Sequence, residues 1–189
     1  LLKKASGLKI SKICPLHGPV LSEDLGKYLG LYDRWSSYTP EEKGVVIAYA
    51  SVYGNTKRAA ESLAAELKEK GVENVALFDL ARCDMSEAVA YAFRYSAVVF
   101  ASLTYNGDVF PFMRTFIESL TERNFRKRTV GFIENGSWAP MATKVMKKML
   151  ENCKDLAFLE TSVTVKSAIG TESEAQIRAM AEELCSALA

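Results

Sequence analysis

The chain has 189 residues, 49% of them apolar, with 24 Lys plus Arg against 23 Asp plus Glu and a formal net charge of +1. That length fits one domain with some chain to spare, and half-apolar composition supplies a full core. Balanced charge gives no electrostatic footprint for nucleic acid or an anionic membrane, no apolar run reaches membrane-spanning length, and no stretch reads as a signal peptide.

The chain opens Leu-Leu-Lys-Lys and reaches its first methionine only at Met85, which reads as part of a longer or processed protein. Residues 1–43 hold Pro15, Gly18, Pro19, Gly26, Gly30 and Pro40, with only short helical pieces such as 22–29. They read as a tail or linker that ends at Pro40-Glu-Glu-Lys-Gly44. A regular alternation follows. Residues 45–50 are a buried strand by length and branching, and 56–70 place Ala59, Ala60, Leu63, Ala64 and Leu67 at helical spacing before Gly71. Residues 75–79 are a second strand, and Ser86 caps a short helix to about 95. Strand three covers 97–102, and a helix with a Pro near its start covers 112–123. Strand four is 129–134, followed by a helix over 139–152 with Pro140 in its first turn. Strand five is 158–165, and a closing helix spans 172–188 with Thr171 and Glu174 as a capping box. Near-continuous apolar strands alternating with helices predict a doubly wound α/β sandwich with a parallel sheet. Cys14, Cys83, Cys153 and Cys185 lie far apart with no Cys-x-x-Cys. They read as reduced thiols of a cytoplasmic protein, not as a disulfide frame or zinc site.

In such sheets ligands lie beyond the carboxyl ends of the strands, at the switch point of strand order. Three turns therefore matter. After strand one comes Ser51-Val-Tyr-Gly-Asn-Thr56. It stands where unpaired N–H groups and the positive end of a helix dipole gather, so it suits a phosphate better than a bare helix cap does. It has neither the Gly-Lys-Ser/Thr ending of a nucleoside-triphosphate loop nor the Gly-x-Gly-x-x-Gly of a dinucleotide fold. After strand three comes Ser102-Leu-Thr-Tyr-Asn-Gly-Asp108. Its Asn-Gly step favours positive φ, and Tyr105 is either a flat face for a ligand or a core tyrosine in a plain turn. After strand four comes Glu134-Asn-Gly-Ser-Trp-Ala-Pro140. Trp138 there is either a ligand-facing ring or a tryptophan packed on a neighbouring helix. Together a phosphate cradle and two aromatic-bearing loops on one rim suit a planar ring with a phosphate tail. Flavin mononucleotide (FMN) has that shape and charge.

The arrangement Ser-x-Tyr-Gly-Asn-Thr, Thr-Tyr-Asn-Gly and Asn-Gly-Ser-Trp resembles a flavodoxin-type FMN domain over about residues 44–189. A second likeness narrows this. Ile13-Cys-Pro-Leu-His-Gly-Pro-Val20, with Tyr32-Asp-Arg-Trp-Ser36 after it, resembles the end of the metallo-β-lactamase-like domain of flavodiiron proteins. In that family a flavodoxin domain follows directly. The resemblance implies a five-stranded sheet of order 2-1-3-4-5 and two parts, 1–43 from the di-iron domain and linker and 44–189 for FMN. It implies reduction of oxygen or nitric oxide at a di-iron centre in the parent protein, with FMN passing in electrons. Carried over residue by residue, Ser51, Val52, Tyr53, Gly54, Asn55 and Thr56 correspond to the phosphate loop. Leu103, Thr104, Tyr105, Asn106 and Gly107 correspond to the loop beside the reactive edge of the ring. Asn135, Gly136, Ser137 and Trp138 correspond to the second ring-holding loop. His17 corresponds to one iron ligand, in the parent only.

Leu103 stands where family members often carry proline, and His17 is the sole histidine, the upstream His-x-Glu-x-Asp cluster being absent. One imidazole does not make a di-iron site. The chain itself is therefore assigned no catalytic residue. The implied partners are the rest of the parent chain and an external donor such as a rubredoxin or flavin reductase, in a homodimer or homotetramer. The alternative is a stand-alone FMN-dependent NAD(P)H:quinone reductase on the same fold. A signalling receiver domain would need an acidic pair after strand one, where this chain has Ala-Ser-Val-Tyr.

Overall fold

The computed structural model describes residues 2–189. These fall into two compact units, one ending at Thr39 and the other running Pro40–Ala189. The first contains α1 (Leu2–Ala5), an antiparallel bridge between Ile13 and Leu21, and α2 (Leu25–Ser36). The second helix is longer than the segment read at 22–29. Gly26 and Gly30 each cost a helix about 1 kcal/mol relative to Ala and hide it from propensity. Leu25, Tyr28, Leu29 and Tyr32 nevertheless keep the i, i+3, i+4, i+7 spacing. No described residue before Pro40 is buried.

In the second unit the strands are β1 (Glu42–Tyr49), β2 (Val75–Asp79), β3 (Tyr95–Tyr105), β4 (Asp108–Val109), β5 (Arg128–Asn135) and β6 (Leu156–Val165). The helices are α3 (Asn55–Glu69), α4 (Met85–Arg94), α5 (Pro111–Thr121), α6 (Ala142–Met149) and α7 (Thr171–Leu188). The sheet order is β2-β1-β3-β5-β6, all parallel, with β4 paired antiparallel to β3. The five long strands thus follow the expected 2-1-3-4-5 order.

Alternation along each strand builds two cores. Val45, Ile47, Val99 and Ile133 face α3 and α7, meeting Leu63, Leu67, Ile177 and Leu184. Val46, Val98, Phe100 and Phe132 face α4, α5 and α6, meeting Ala92, Phe116, Ile117 and Met146. Phe100 and Phe132 stack at 6.0 Å across the second core. Each fully buried Leu, Ile or Phe contributes about 1.5–3 kcal/mol.

Several helix ends differ from the sequence reading. Asp84, not Ser86, caps α4, its Oδ1 accepting from Ser86 N at 2.8 Å. The α7 box lies at Gly170 and Ser173, where Ser173 Oγ accepts from Gly170 N at 2.9 Å. Helix α6 starts three residues later than the expected 139, so Pro140 lies before it. Thr104 Oγ1 accepts from Met141 N and Ala142 N at 2.9 and 3.3 Å, which satisfies the first turn at that point and leaves 136–141 as a loop.

Candidate binding cleft

A cleft of about 480 Å³ opens beyond the carboxyl ends of the central strands. Ser51, Val52, Tyr53, Asn55 and Thr56 line it from the first turn, Leu103 and Thr104 from the second, and Asn135, Gly136, Ser137 and Trp138 from the third. Ser167, beyond β6, completes it. The structure thus brings eleven of the fifteen predicted flavin-loop residues together. Gly54, Tyr105, Asn106 and Gly107 lie outside the lining.

The first turn is shaped by its own atoms. Ser51 Oγ accepts from Gly54 N at 3.1 Å, and Gly54 takes φ +86, a conformation that glycine adopts without Cβ strain. Helix α3 then begins at Asn55 with no side chain capping it. Its first-turn N–H groups lack intrahelical partners, so this end of the cleft fits an anion. Thr56 is 2% exposed, while Tyr53 stands 92% exposed at the rim.

The second turn is a hairpin. Asn106 and Gly107, at φ 51 and 70, form its two-residue loop between paired Tyr105 and Asp108. Tyr105 packs edge-on against Phe110 with centroids 5.4 Å apart. Arg114 bonds both carboxylate oxygens of Asp108 and, as the largest cause, holds that carboxyl below its ordinary pKa.

The third turn is tied down on several sides. Asn135 is buried, its Nδ2 donating to Ser167 O at 3.1 Å and its Oδ1 accepting from Ser167 N at 3.2 Å. Gly136 N donates to Val165 O at 3.0 Å, and a Cβ on Gly136 would come within 3.1 Å of Pro140 Cα and 3.3 Å of Thr104 Oγ1. Ser137 Oγ lies 2.7 Å from Ser167 Oγ. Trp138 is 98% exposed, so the alternative of a tryptophan packed on a helix does not hold. Beneath the loop the buried Glu134 accepts from Thr143 N at 3.0 Å and from Thr164 Oγ1 at 3.1 Å.

Sequence reasoning missed Ser167. Its hydroxyl follows strand five, which ends on the same rim beside strand four, whereas the predicted residues follow strands one, three and four. The serine directly after the strand, in Val165-Lys-Ser167, was the available signal. His17 lies on an exposed stretch of the first unit, and among the described residues no cluster of three or more His, Cys, Asp or Glu could hold a metal.

The cleft therefore offers N–H groups to an anion at one end and exposed aromatic surface at its rim, a donor set that fits a planar ring carrying a phosphate tail. Residues 46–166 match the family described as the flavodoxin domain. The chain belongs to that family. An uncharacterized protein of Methanocaldococcus jannaschii is 28% identical over 152 residues, covering 80% of this chain and 38% of that one. The anaerobic nitric oxide reductase flavorubredoxin of Escherichia coli O1:K1 is 24% identical over 161 residues, covering 85% of this chain and 33% of that one. The solved flavodiiron protein from Giardia intestinalis superposes with a TM-score of 0.85 at 23% identity, over 99% of this chain and 47% of that one. The chain thus spans less than half the length of each of these proteins.

Proposed function

We propose that the chain is the FMN-carrying, electron-transferring portion of a flavodiiron-type oxygen or nitric oxide reductase. The observation that carries this reading is the cleft itself, with its uncapped α3 terminus at one end and Tyr53 and Trp138 exposed at its rim. When bound, FMN supplies a ring that accepts and releases electrons. The residues of the chain do the holding. Ser51 and Gly54 set the turn that presents the α3 N–H groups to the phosphate, with Asn55 and Thr56 adding side-chain donors. Trp138 and Tyr53 offer faces for the ring, and Leu103 adds an apolar side chain to the lining. Tyr105, Asn106 and Gly107 remain assigned to the reactive edge of the ring, through the backbone of a hairpin whose Asn-Gly peptide can reorient.

The wider setting is part of the same proposal. The names of the relatives speak of nitric oxide reduction, a flavorubredoxin and a di-iron protein. Residues 1–43, with His17 in its His-Gly-Pro context, are assigned to the end of a di-iron domain whose other ligands lie elsewhere in the parent. A rubredoxin or flavin reductase donates electrons, and the parent assembles as a homodimer or homotetramer in the cytoplasm. Four free cysteines support that compartment, and no described helix is long and apolar enough to cross a membrane.

The test is titration of the flavin-free chain with FMN and with riboflavin, followed by flavin absorbance and fluorescence. The expected outcome is a yellow complex, quenched in fluorescence and far tighter for FMN. A chain that ignores FMN, or binds both flavins equally, overturns the reading.

A further inference from the structure

We infer that Ser167 is a positioning residue, clamped by Asn135 so that its hydroxyl holds the Trp138 loop ready for an aromatic ligand. The inference rests on the proposed flavin cleft but concerns what the chain does to its own loop. Trp138 is 98% exposed, so packing of its own side chain does not place it. A loop left mobile would have to be ordered on binding, and that ordering opposes affinity. Here the order is built in. The residue before Trp138 is joined through its hydroxyl to Ser167 Oγ at 2.7 Å.

Ser167 is itself in an unusual state. Its φ of 71 lies in the left-handed region, which a serine enters at a cost. Two bonds hold it there, both from the one buried amide of Asn135, at 3.1 and 3.2 Å to the Ser167 backbone oxygen and nitrogen. A strained residue persists where its surroundings over-determine it, and such residues gather at ligand clamps. The core does not require this arrangement, because Ser137, Trp138 and Ser167 are all exposed. What the chain Asn135–Ser167–Ser137 does tie down is the backbone that carries Trp138.

The experiment measures dissociation constants for FMN and riboflavin with Ser167→Gly, which keeps the left-handed backbone and removes the hydroxyl. Ser137→Ala serves as a second variant that tests the same bond from the other side. Each is made with Trp138 present and in a Trp138→Ala background, forming a double-mutant cycle. Loss of one hydrogen bond should weaken both flavins about three- to tenfold and leave their ratio unchanged, since the phosphate end is untouched. In the Trp138→Ala background the same substitutions should cost nothing further. Equal losses in both backgrounds, or no loss in either, overturn the inference.

A ligand-free measurement separates this inference from the function proposed above. With Trp35→Phe, Trp138 is the remaining tryptophan, and Ser167→Gly should lower its fluorescence anisotropy. If the wild-type chain binds no flavin, the proposed function fails and the anisotropy alone decides. Lowered anisotropy then upholds the clamp, and unchanged anisotropy refutes it.

Discussion

Thr56 sits in the first turn of α3 at 2% exposure and lines the cleft where that helix begins. A hydrogen bond to a charged group contributes about 1.5–3 kcal/mol. Thr56→Val is nearly isosteric, so it should weaken FMN roughly tenfold or more while leaving riboflavin affinity unchanged, as parallel titrations would read. Tyr49, at the end of β1, carries a different consequence. Burial, reinforced by the charge of Asp79, pushes its phenol up to about 12. The unfolded chain would lose that proton near pH 10, so the folded state holds more protons between pH 10 and 12 and is destabilised as pH rises through that window. Wild type should therefore lose about 2–3 kcal/mol across it relative to Tyr49→Phe, measured by urea unfolding at each pH. At this scale the sequence was readable where a residue type had no other employment: Trp138 beside glycine, or the Ser–Asn–Thr set before a helix. The bonds that hold Ser167 were not, because Asn135 lies 32 residues away and only the pairing of β5 with β6 brings it alongside.

Among the elements, the β3–β4 hairpin shows what a local signal can and cannot say. Asn-Gly specified positive φ at both positions, and both are found there. The short return strand was unreadable because two residues carry no periodicity. Gly107→Val would place a β-branched side chain at φ 70, costing about 1–2 kcal/mol in a urea midpoint at unchanged slope. The edge strand β6 makes the opposite case. Its register against β5 slips between Val130 and Phe132, and the carboxylate of Glu183 on α7 accepts from Glu160 N at 2.9 Å and Thr161 N at 3.0 Å. It also accepts from the Thr161 hydroxyl. Glu183→Ala should cost about 1–3 kcal/mol by the same assay, since it strands those donors. Nothing in the local sequence announces this bond, which joins residues 22 or 23 apart. Strand existence was legible because apolar runs are forced on strands covered on both faces. The start of α6 was not, because Thr104 sets it from another strand.

For the molecule as a whole, every buried hydrophobic residue among those described lies at or beyond Val45. Residues 40–189 alone should therefore unfold cooperatively with nearly the urea midpoint of the full chain and retain flavin affinity. A broadened transition would show that the first unit contributes to the fold. FMN at 100 times its dissociation constant should add about 2.7 kcal/mol, raising Tm by several degrees.

The central strands have a consequence in time as well as in space. Residues 45–48 of β1 are completely buried and paired to a strand on each side, inside a sheet covered by helices on both faces. Their amide hydrogens have no route to water short of unfolding the whole unit, whereas β2 and β6 each have one open edge from which to fray. In deuterated water the chain should become a clock with separate hands. The cleft turns should label first, the two sheet margins later, and the amides of Val46 and Ile47 last, at the rate of global opening. A Val46 amide that exchanged as early as those of β6 would mean that the sheet opens from its middle.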